Sequence, residues 1–262
     1  MPADAPNFLD PAHLSRLRSC QLIARNAVEG LLSGRHRSLF HGFGMEFHQY
    51  RTYTPGEDLK FLDWKVLART DRLYTKVFRE ETETDVTVLV DNSASMDYRG
   101  AAAVCTKARY AAMLAACLFY LAKRQGDHPG LFAYGEHLNV ALPPRSRSSK
   151  LPALMRALES LKPEGAAHHD ALLERLSRHF RRRGIVVVIS DMLEAESSLP
   201  TVLRGIVARG GTCLALQVLD RDEIDLPQFE LARFIDAETG RELIASPGQL
   251  TEAYSTAFDR FQ

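Results

Sequence analysis

From residue 85 onward, short continuous runs of β-branched and aromatic residues alternate with stretches in which apolar residues recur every three or four positions. Continuous runs of this length are typical of strands that are covered on both faces of a parallel sheet. They lie at 86–90, 129–134, 185–190 and 212–219. The alternation predicts an α/β fold with a mainly parallel sheet and right-handed crossover connections.

The stretches with helical spacing predict helices packed on that sheet. We expect helices at 101–123, 149–161, 169–183 and 199–209, and an earlier one at 11–32. Less regular segments predict an edge strand at 138–142 and a hairpin at 230–245. A final helix is expected after Ser246, because Pro247 and Gln249 supply the first-turn proline and the capping box of a helix start.

Residues 33–83 lack this regularity and are rich in aromatic and basic side chains. The Pro55-Gly56 pair favours a turn. We expect irregular structure here, with short strands near 45–53 and 73–79 and a helical turn near 59–67. The chain is therefore predicted to have an amino-terminal elaboration at 1–84 and an α/β domain at 85–262.

Composition limits the kinds of partner that the protein is expected to bind and its expected cellular location. Lys plus Arg and Asp plus Glu both number 33, so net charge gives no electrostatic reason to expect nucleic acid or an anionic membrane as partner. The longest apolar run, 111–122, has about 12 residues, whereas a membrane-spanning helix needs about 20. The amino terminus has no basic leader or apolar stretch of the signal-peptide type. We expect a cytoplasmic protein without a membrane span.

The cysteines agree with that location. They are scattered, without a Cys-x-x-Cys pair, and mostly lie inside apolar periodic segments. Such cysteines are expected to be reduced core residues. The four are Cys20, Cys105, Cys117 and Cys213.

The stretch that most resembles a site is Val-Thr-Val-Leu-Val-Asp-Asn-Ser-Ala-Ser-Met at 86–96. Asp91 falls at the carboxyl end of a predicted strand, which is the edge where open α/β sheets bind ligands. Asp91, Ser93 and Ser95 offer hard oxygen atoms, which suit Mg²⁺ or Mn²⁺ rather than Zn²⁺. The alternative is a strand-to-helix turn in which Asn92, Ser93 or Ser95 caps the next helix.

Asp191 is a second candidate ligand, because it follows the apolar run 185–190. Alone, this residue would be interpreted as a helix cap. Parallel strands bring their carboxyl ends to one edge of the sheet, so Asp191 and Asp91 are expected to lie near each other. Together they form a candidate pair of carboxylates for a cation.

Asp91, Ser93, Ser95 and Asp191 resemble the metal-ion-dependent adhesion site of the von Willebrand factor type A domain. That site uses Asp-x-Ser-x-Ser, a Thr from a second loop and an Asp from a third. The Thr is missing here, since the expected position reads Ala-Ala-His-His at 166–169. The resemblance implies a von Willebrand factor type A-like (Rossmann-like) fold, with metal bound directly by the serines, through water by the aspartates, and completed by a partner's carboxylate. Loss of the Thr oxygen is expected to weaken Mg²⁺ binding.

Several motifs occur in order before this site: Ser33-Gly34-Arg35-His36-Arg37-Ser38, His41-Gly42-Phe43, Glu46-Phe47, Arg51-Thr52-Tyr53-Thr54-Pro55-Gly56-Glu57-Asp58-Leu59-Lys60, Leu62-Asp63-Trp64-Lys65 and Ala68-Arg69-Thr70-Asp71. They resemble the signature of the domain of unknown function 58 family. The resemblance covers nearly the whole chain. It implies a bacterial cytosolic protein, often encoded beside a MoxR-type AAA+ ATPase, that acts as an adaptor or chaperone-like partner.

The charged residues of these motifs allow two interpretations. They form either an ion-pair network that holds an irregular segment to the sheet, or a docking surface. The residues are Arg51, Asp58, Asp63, Lys65 and Arg69. Trp64 is expected to be an apolar anchor for the same segment. His168 and His169 either line the rim of the metal cleft or are solvated.

Three functions remain in view. The first is a non-enzymatic, metal-dependent protein-interaction module, and the second is a degenerate scaffold that binds no metal. The third is a haloacid-dehalogenase-type phosphohydrolase, which also begins with a strand ending in Asp. Ser93 stands where that chemistry needs a second Asp as general acid, so catalysis is not expected. The sequence also lacks a phosphate-binding loop, a nucleophile elbow and a His-Glu-x-x-His helix.

Overall fold

The computed structural model describes residues 19–33, 43–54, 62–81, 83–145, 150–166, 184–193, 199–226 and 231–246, together with Tyr254, Thr256 and Phe258. The helices predicted at 11–32 and 169–183, and the start of the last helix, lie wholly or partly outside these residues. So do His168 and His169.

A five-stranded sheet forms the centre of the molecule. Its strands are β3 (Asp85–Asp91), β4 (His128–Tyr134), β5 (Leu138–Leu142), β6 (Gly184–Ser190) and β7 (Thr212–Gln217). Across the sheet they lie in the order β5-β4-β3-β6-β7. All neighbours pair in parallel except β5, which pairs antiparallel with β4 at one edge. This topology confirms the predicted mainly parallel, von Willebrand factor type A-like fold class and the predicted edge strand.

Helices cover both faces of this sheet. They are α1 (Cys20–Ser33), α3 (Lys107–Arg124), α4 (Leu151–Ser160) and α5 (Leu199–Ala208). Val88 and Val90 pack with α1, α3 and α4 on one face, whereas Leu89 packs with Ile206 of α5 on the other. These three strand residues are at most 1% exposed, so the unbroken apolar run reflects burial on both faces. α1 packs on α3 and α4, and the predicted division at residue 84 stays a prediction.

The amino-terminal segment is more regular than expected. β1 (Phe43–Thr52) pairs antiparallel with β2 (Tyr74–Glu81), and the two strands are 10 and 8 residues long. Between them lies α2 (Trp64–Thr70). It begins later than the predicted turn at 59–67 because the Asp63 carboxylate caps it, accepting from Lys65 N at 2.9 Å and Val66 N at 3.2 Å.

The prediction for Trp64 is wrong. Its side chain is 62% exposed, because it stands in the first turn of a seven-residue helix that buries none of its residues. Lys65 and Arg69 on the same helix are also exposed. Asp63 is 5% exposed and serves as a helix cap, while Asp58 lies outside the described residues. The predicted ion-pair network therefore stays a prediction.

Two predicted elements differ in the α/β part. α3 begins at Lys107 rather than residue 101, because Thr106 is extended (φ −69°, ψ 158°) and its hydroxyl accepts from Arg109 N. β7 was expected to be buried, but Leu214 on this strand is 42% exposed. The reason is its place at the end of the strand order, where β6 is its neighbour among the described strands.

The carboxyl-terminal elements include a short helix that the sequence pattern did not predict, α6 (Arg221–Ile224). They also include β8 (Ala232–Ile235) and β9 (Glu242–Ala245), whose antiparallel pairing confirms the predicted hairpin. All four cysteines are free thiols, and burial raises the pKa of Cys117 to about 11. Among the described helices, none has the length and apolarity to cross a membrane.

Candidate functional site

The candidate site lies where the strand order reverses. From β3 the chain continues to β4 on one side of the sheet and later to β6 on the other, so β3 and β6 are central neighbours. Asp91 ends β3, and Asp191 follows the last residue of β6. Open α/β sheets bind ligands at the carboxyl ends of strands beside such a reversal. The fold therefore places both predicted carboxylates at this edge.

Asp91 is 1% exposed, and both of its carboxylate oxygens accept hydrogen bonds. The backbone N–H of Ser93 donates to Oδ1 at 2.9 Å, and the Ser190 hydroxyl donates to Oδ2 at 2.6 Å. Ser190 belongs to the neighbouring strand, so this second bond ties the ends of β3 and β6 together. The orientation of the carboxylate is therefore fixed by its own loop and by the adjacent strand.

The Ser93 and Ser95 hydroxyls lie 3.0 Å apart. Mg²⁺ binds six oxygens octahedrally at about 2.1 Å, which places adjacent ligands about 3 Å apart. The two hydroxyls therefore fit adjacent positions around such an ion. The alternative capping role is not what these side chains do: Ser93 precedes a 3₁₀ turn (Ala94–Asp97) without a side-chain cap bond, and Thr106 caps the next α-helix.

The second loop of the site is fastened to the first by the backbone. Asn92 O accepts from Glu164 N at 3.0 Å, and Ala94 N donates to Gly165 O at 2.9 Å. The Asn92 side chain also donates to Lys162 O at 2.7 Å. This loop leads into the Ala-Ala-His-His segment at 166–169, of which the structure describes Ala166. The segment without the expected Thr therefore begins beside Ser93 and Ser95.

Asp191 pairs with a lysine that the sequence pattern did not single out. Its Oδ2 accepts from Lys107 Nζ at 2.8 Å, and its Oδ1 accepts from Leu193 N at 3.2 Å. Lys107 Nζ also lies 2.5 Å from Glu223 Oε1 of α6. The Lys107 side chain is 1% exposed and that of Asp191 4%, so this is a buried ion pair extended by a third charge.

Sequence reasoning missed Lys107 and Glu223. Lys107 opens an α-helix, where a cation is disfavoured by the helix dipole, and an acidic partner could have been suspected from that position. Asp220 and Glu223 carry the spacing of a capping box, which the structure forms. Glu223 thus combines a cap with an ion pair, and only the fold brings it to Lys107.

The predicted ligands fall into two adjoining groups. Asp91, Ser93 and Ser95 are joined by the hydrogen bonds of one loop, whereas Asp191 is held by Lys107. Within the described part of the chain, no three His, Cys, Asp or Glu side chains are grouped so as to hold a metal. A divalent ion at this edge would therefore depend on the serine hydroxyls. The metal-ligand assignment stays a prediction.

Tyr134, the last residue of β4, is opposite Asp91 in the pairing of β3 with β4 and is fully buried. Burial raises the pKa of its hydroxyl well above the ordinary value, and the negative charge of Asp91 raises it further. The nearby Ser190 hydroxyl acts on this pKa in the opposite direction. The phenol therefore remains protonated beside Asp91 at neutral pH.

A buried carboxylate and paired hydroxyls thus lie at the reversal point of the mainly parallel sheet of a von Willebrand factor type A-like α/β fold. The chain belongs to the family described as "Protein of unknown function DUF58", which matches residues 49–260. The family resemblance deduced from the amino-terminal motifs is thereby confirmed.

Similar proteins carry little functional information. The uncharacterized proteins Rv1480 of Mycobacterium tuberculosis and Mb1516 of Mycobacterium bovis are each 31% identical over 243 residues, covering 91% of this chain and 75% of theirs. Two solved structures are similar at lower identity. An aerotolerance-related membrane protein from Bacteroides fragilis, with multiple mutations to serines, has 19% identity and a TM-score of 0.43 over 66% of this chain and 84% of that one. The conserved hypothetical protein BatB from Bacteroides thetaiotaomicron has 17% identity and a TM-score of 0.42 over 66% and 83%.

Proposed function

We propose that this protein is a non-enzymatic, metal-dependent protein-interaction module. The observation that carries the proposal is the Ser93–Ser95 hydroxyl pair, 3.0 Å apart beside the buried carboxylate of Asp91. Three hard oxygens at the ligand-binding edge of an α/β sheet suit Mg²⁺ or Mn²⁺. Catalysis is not part of the proposal, because Ser93 stands where a phosphohydrolase of this topology needs an acid.

Ser93 and Ser95 would hold the ion directly, and Asp91 and Asp191 would contribute their carboxylates through water, as the resemblance implies. When bound, the ion supplies a hard Lewis acid that attracts an incoming carboxylate. Asp91 keeps its orientation through the bonds from Ser93 N and Ser190 Oγ. The chain's own contribution is therefore a preformed half-shell of oxygens that a partner protein completes.

The partner that we propose is a MoxR-type AAA+ ATPase or the client that it remodels, with this chain as adaptor in the cytoplasm. The chain belongs to the family, and the resemblance to that family is what implies such an ATPase as a partner. Equal numbers of basic and acidic residues give no competing reason to propose nucleic acid.

One observation favours a second candidate, the metal-free scaffold. Lys107 already places a positive charge against Asp191, with 2.8 Å between Nζ and Oδ2. With its charge paired in this way, Asp191 keeps its position without a divalent ion. The two candidates differ in whether removal of the serine hydroxyls abolishes partner binding.

The test is an affinity measurement with a purified MoxR-type ATPase from the same organism, at fixed Mg²⁺ and nucleotide. The variant Ser93→Ala/Ser95→Ala removes both hydroxyls, and we expect at least about 10-fold weaker binding, the loss of one charge-assisted contact. Varying the protein rather than the metal leaves the Mg²⁺ of the ATPase itself undisturbed.

Ser160→Ala is the matched control, because that hydroxyl is exposed and bonds to Ala157 O in its own helix. It should bind as wild type does. Equal affinity of all three proteins would favour the metal-free scaffold. No binding by wild type would remove the ATPase from the proposal.

A further inference from the structure

Lys107 is a buried cation at the edge where a divalent ion is proposed. Its side chain is 1% exposed, and Nζ contacts carboxylates from two different elements, Asp191 after β6 and Glu223 in α6. It also opens α3, where the positive end of the helix dipole disfavours a lysine. The two acids therefore hold the ammonium at this position.

Both carboxylates are fixed by further bonds. Asp191 Oδ1 accepts from Leu193 N, and Glu223 Oε2 accepts from Asp220 N at 2.8 Å. The Tyr98 ring lies over the ammonium, with 6.0 Å between Nζ and the ring centroid. The Lys107 ammonium thus lies in a preformed position, in contact with one carboxylate oxygen of Asp191 and one of Glu223.

A divalent ion bound at this edge and the Lys107 ammonium would compete for the carboxylate of Asp191. Charges buried at a sheet edge are weakly screened, so two cations sharing Asp191 repel each other strongly. Glu223 gives Lys107 a second acceptor that does not belong to the predicted metal ligands. The ammonium can therefore give up Asp191 and remain paired.

We propose that Lys107 is a built-in competitor of the divalent ion for Asp191 and that it determines the ion's affinity at this edge. This inference rests on the proposed metal-dependent function. When the ion binds, Lys107 gives up Asp191 and stays paired with Glu223 alone. The coupling is reciprocal: the Lys107–Asp191 ion pair weakens ion binding by the same factor by which the ion weakens that pair. Lys107 thus offsets part of the negative charge of the ion-free edge, and the ion is held more tightly when a partner's carboxylate adds to its shell.

The test is a calorimetric titration of purified protein with Mn²⁺. Wild type is compared with Lys107→Met and with Lys107→Met/Glu223→Gln, which removes the competitor together with its second acceptor. Both variants should bind Mn²⁺ at least about 10-fold more tightly than wild type, because one charged competitor is removed. Arg145→Met is the matched control, since it removes a cation at the opposite end of β3, paired with Asp85. Its affinity should equal that of wild type.

Each outcome separates the two proposals. Equal affinity in wild type and the Lys107 variants overturns the competition but leaves the metal site in place. Tight binding in the variants with none in wild type supports the competition and overturns metal dependence of the natural protein. Absence of binding in every protein overturns both.

A measurement on unaltered wild type covers the case in which the variants do not fold. The ¹⁵N-resolved ammonium signal of Lys107, assigned by its loss in Lys107→Arg, should shift on addition of Mg²⁺. An unchanged signal overturns the competition, whether or not the Ser93 and Ser95 amide signals move.

Discussion

The two ends of strand β3 carry polar clusters that differ in solvent exposure. At the amino end, Arg145 pairs with Asp85 and Glu83, and His128 bonds to Glu83. The Arg145 side chain is 36% exposed and that of Glu83 62%. At the carboxyl end, Lys107 and Asp191 are nearly inaccessible. The strand therefore begins at a solvated ion-pair cluster and ends beside a buried one.

The difference shows which end is a candidate for function. Exposed ion pairs contribute about 0–1 kcal/mol to the free energy of unfolding, so the loss of the amino-end cluster should change stability little. A buried pair must overcome a large desolvation penalty, and apolar residues would often stabilise the fold as well. Stability alone does not explain a buried polar cluster at this edge. Because this edge is also where open α/β sheets bind ligands, we propose the functional site there.

The largest expected effect on stability is the contrast between removing Lys107 at the carboxyl end and removing Arg145 at the amino end. Lys107→Met leaves two acids at the buried edge without their ammonium, and we expect a loss of about 3–5 kcal/mol in the free energy of unfolding. Arg145→Met should lose less than about 1 kcal/mol. Chemical denaturation of both variants measures the contrast. Similar losses in the two variants would remove the distinction between the ends.

A smaller effect tests how tightly the carboxyl edge is packed. Gly100 N donates to Asp220 Oδ2, and a Cβ at this residue would lie 2.2 Å from Asp220 Oδ1. That oxygen also accepts from Asp222 N, so it cannot move without breaking the cap of α6. Gly100→Ala should cost about 1–3 kcal/mol.

Gly205 in α5 is the matched control, since a Cβ there meets no atom within 4 Å. Gly205→Ala should stabilise by about 0.5–1 kcal/mol, because alanine favours the helix. If Gly100→Ala is neutral in the same denaturation series, the 100–106 loop is not fastened to α6 as described.

The smallest effect belongs to the exposed end and depends on pH. The hydrogen bond with His128 lowers the pKa of Glu83 below its ordinary value of 4.5, and the His128 and Arg145 charges lower it further. A lowered pKa in the folded state adds stability above pH 4.5, and this stability is lost as the pH falls through the lowered pKa. Glu83→Gln should therefore be slightly less stable than wild type at pH 7 and equal to it at the acid end. A difference that grows on acidification would contradict this assignment.

The sequence predicted the backbone of the site because each relevant pattern is local. The apolar runs before Asp91 and Asp191 end on an acid, and parallel pairing then places both acids at one edge. Fold class and family followed from these runs and from the amino-terminal motifs. The start of α3 was misplaced because alanines at 101–103 have high helix propensity, while the cap at Thr106 decides where the helix begins.

Side-chain partners were harder to predict because they depend on distant residues. Lys107 is 84 residues from Asp191 and 116 from Glu223, so no local spacing links the three. Trp64 was expected to be an apolar anchor of an irregular segment, and its exposure follows from where the Asp63 cap starts a short helix. The hydrophobic pattern therefore predicts neither the ion pairs between distant residues nor the caps that set where a helix begins.

The central claim is that the carboxyl edge binds a divalent ion through Asp91, Ser93 and Ser95. The most direct measurement is the unfolding free energy with Mg²⁺ or Mn²⁺ and with chelator. An ion at about 100 times its dissociation constant should stabilise wild type, and equally Arg145→Met, by about 2.7 kcal/mol. Ser93→Ala/Ser95→Ala should show no such gain. Wild type with no gain in either ion, or a double variant with the full gain, would contradict the claim.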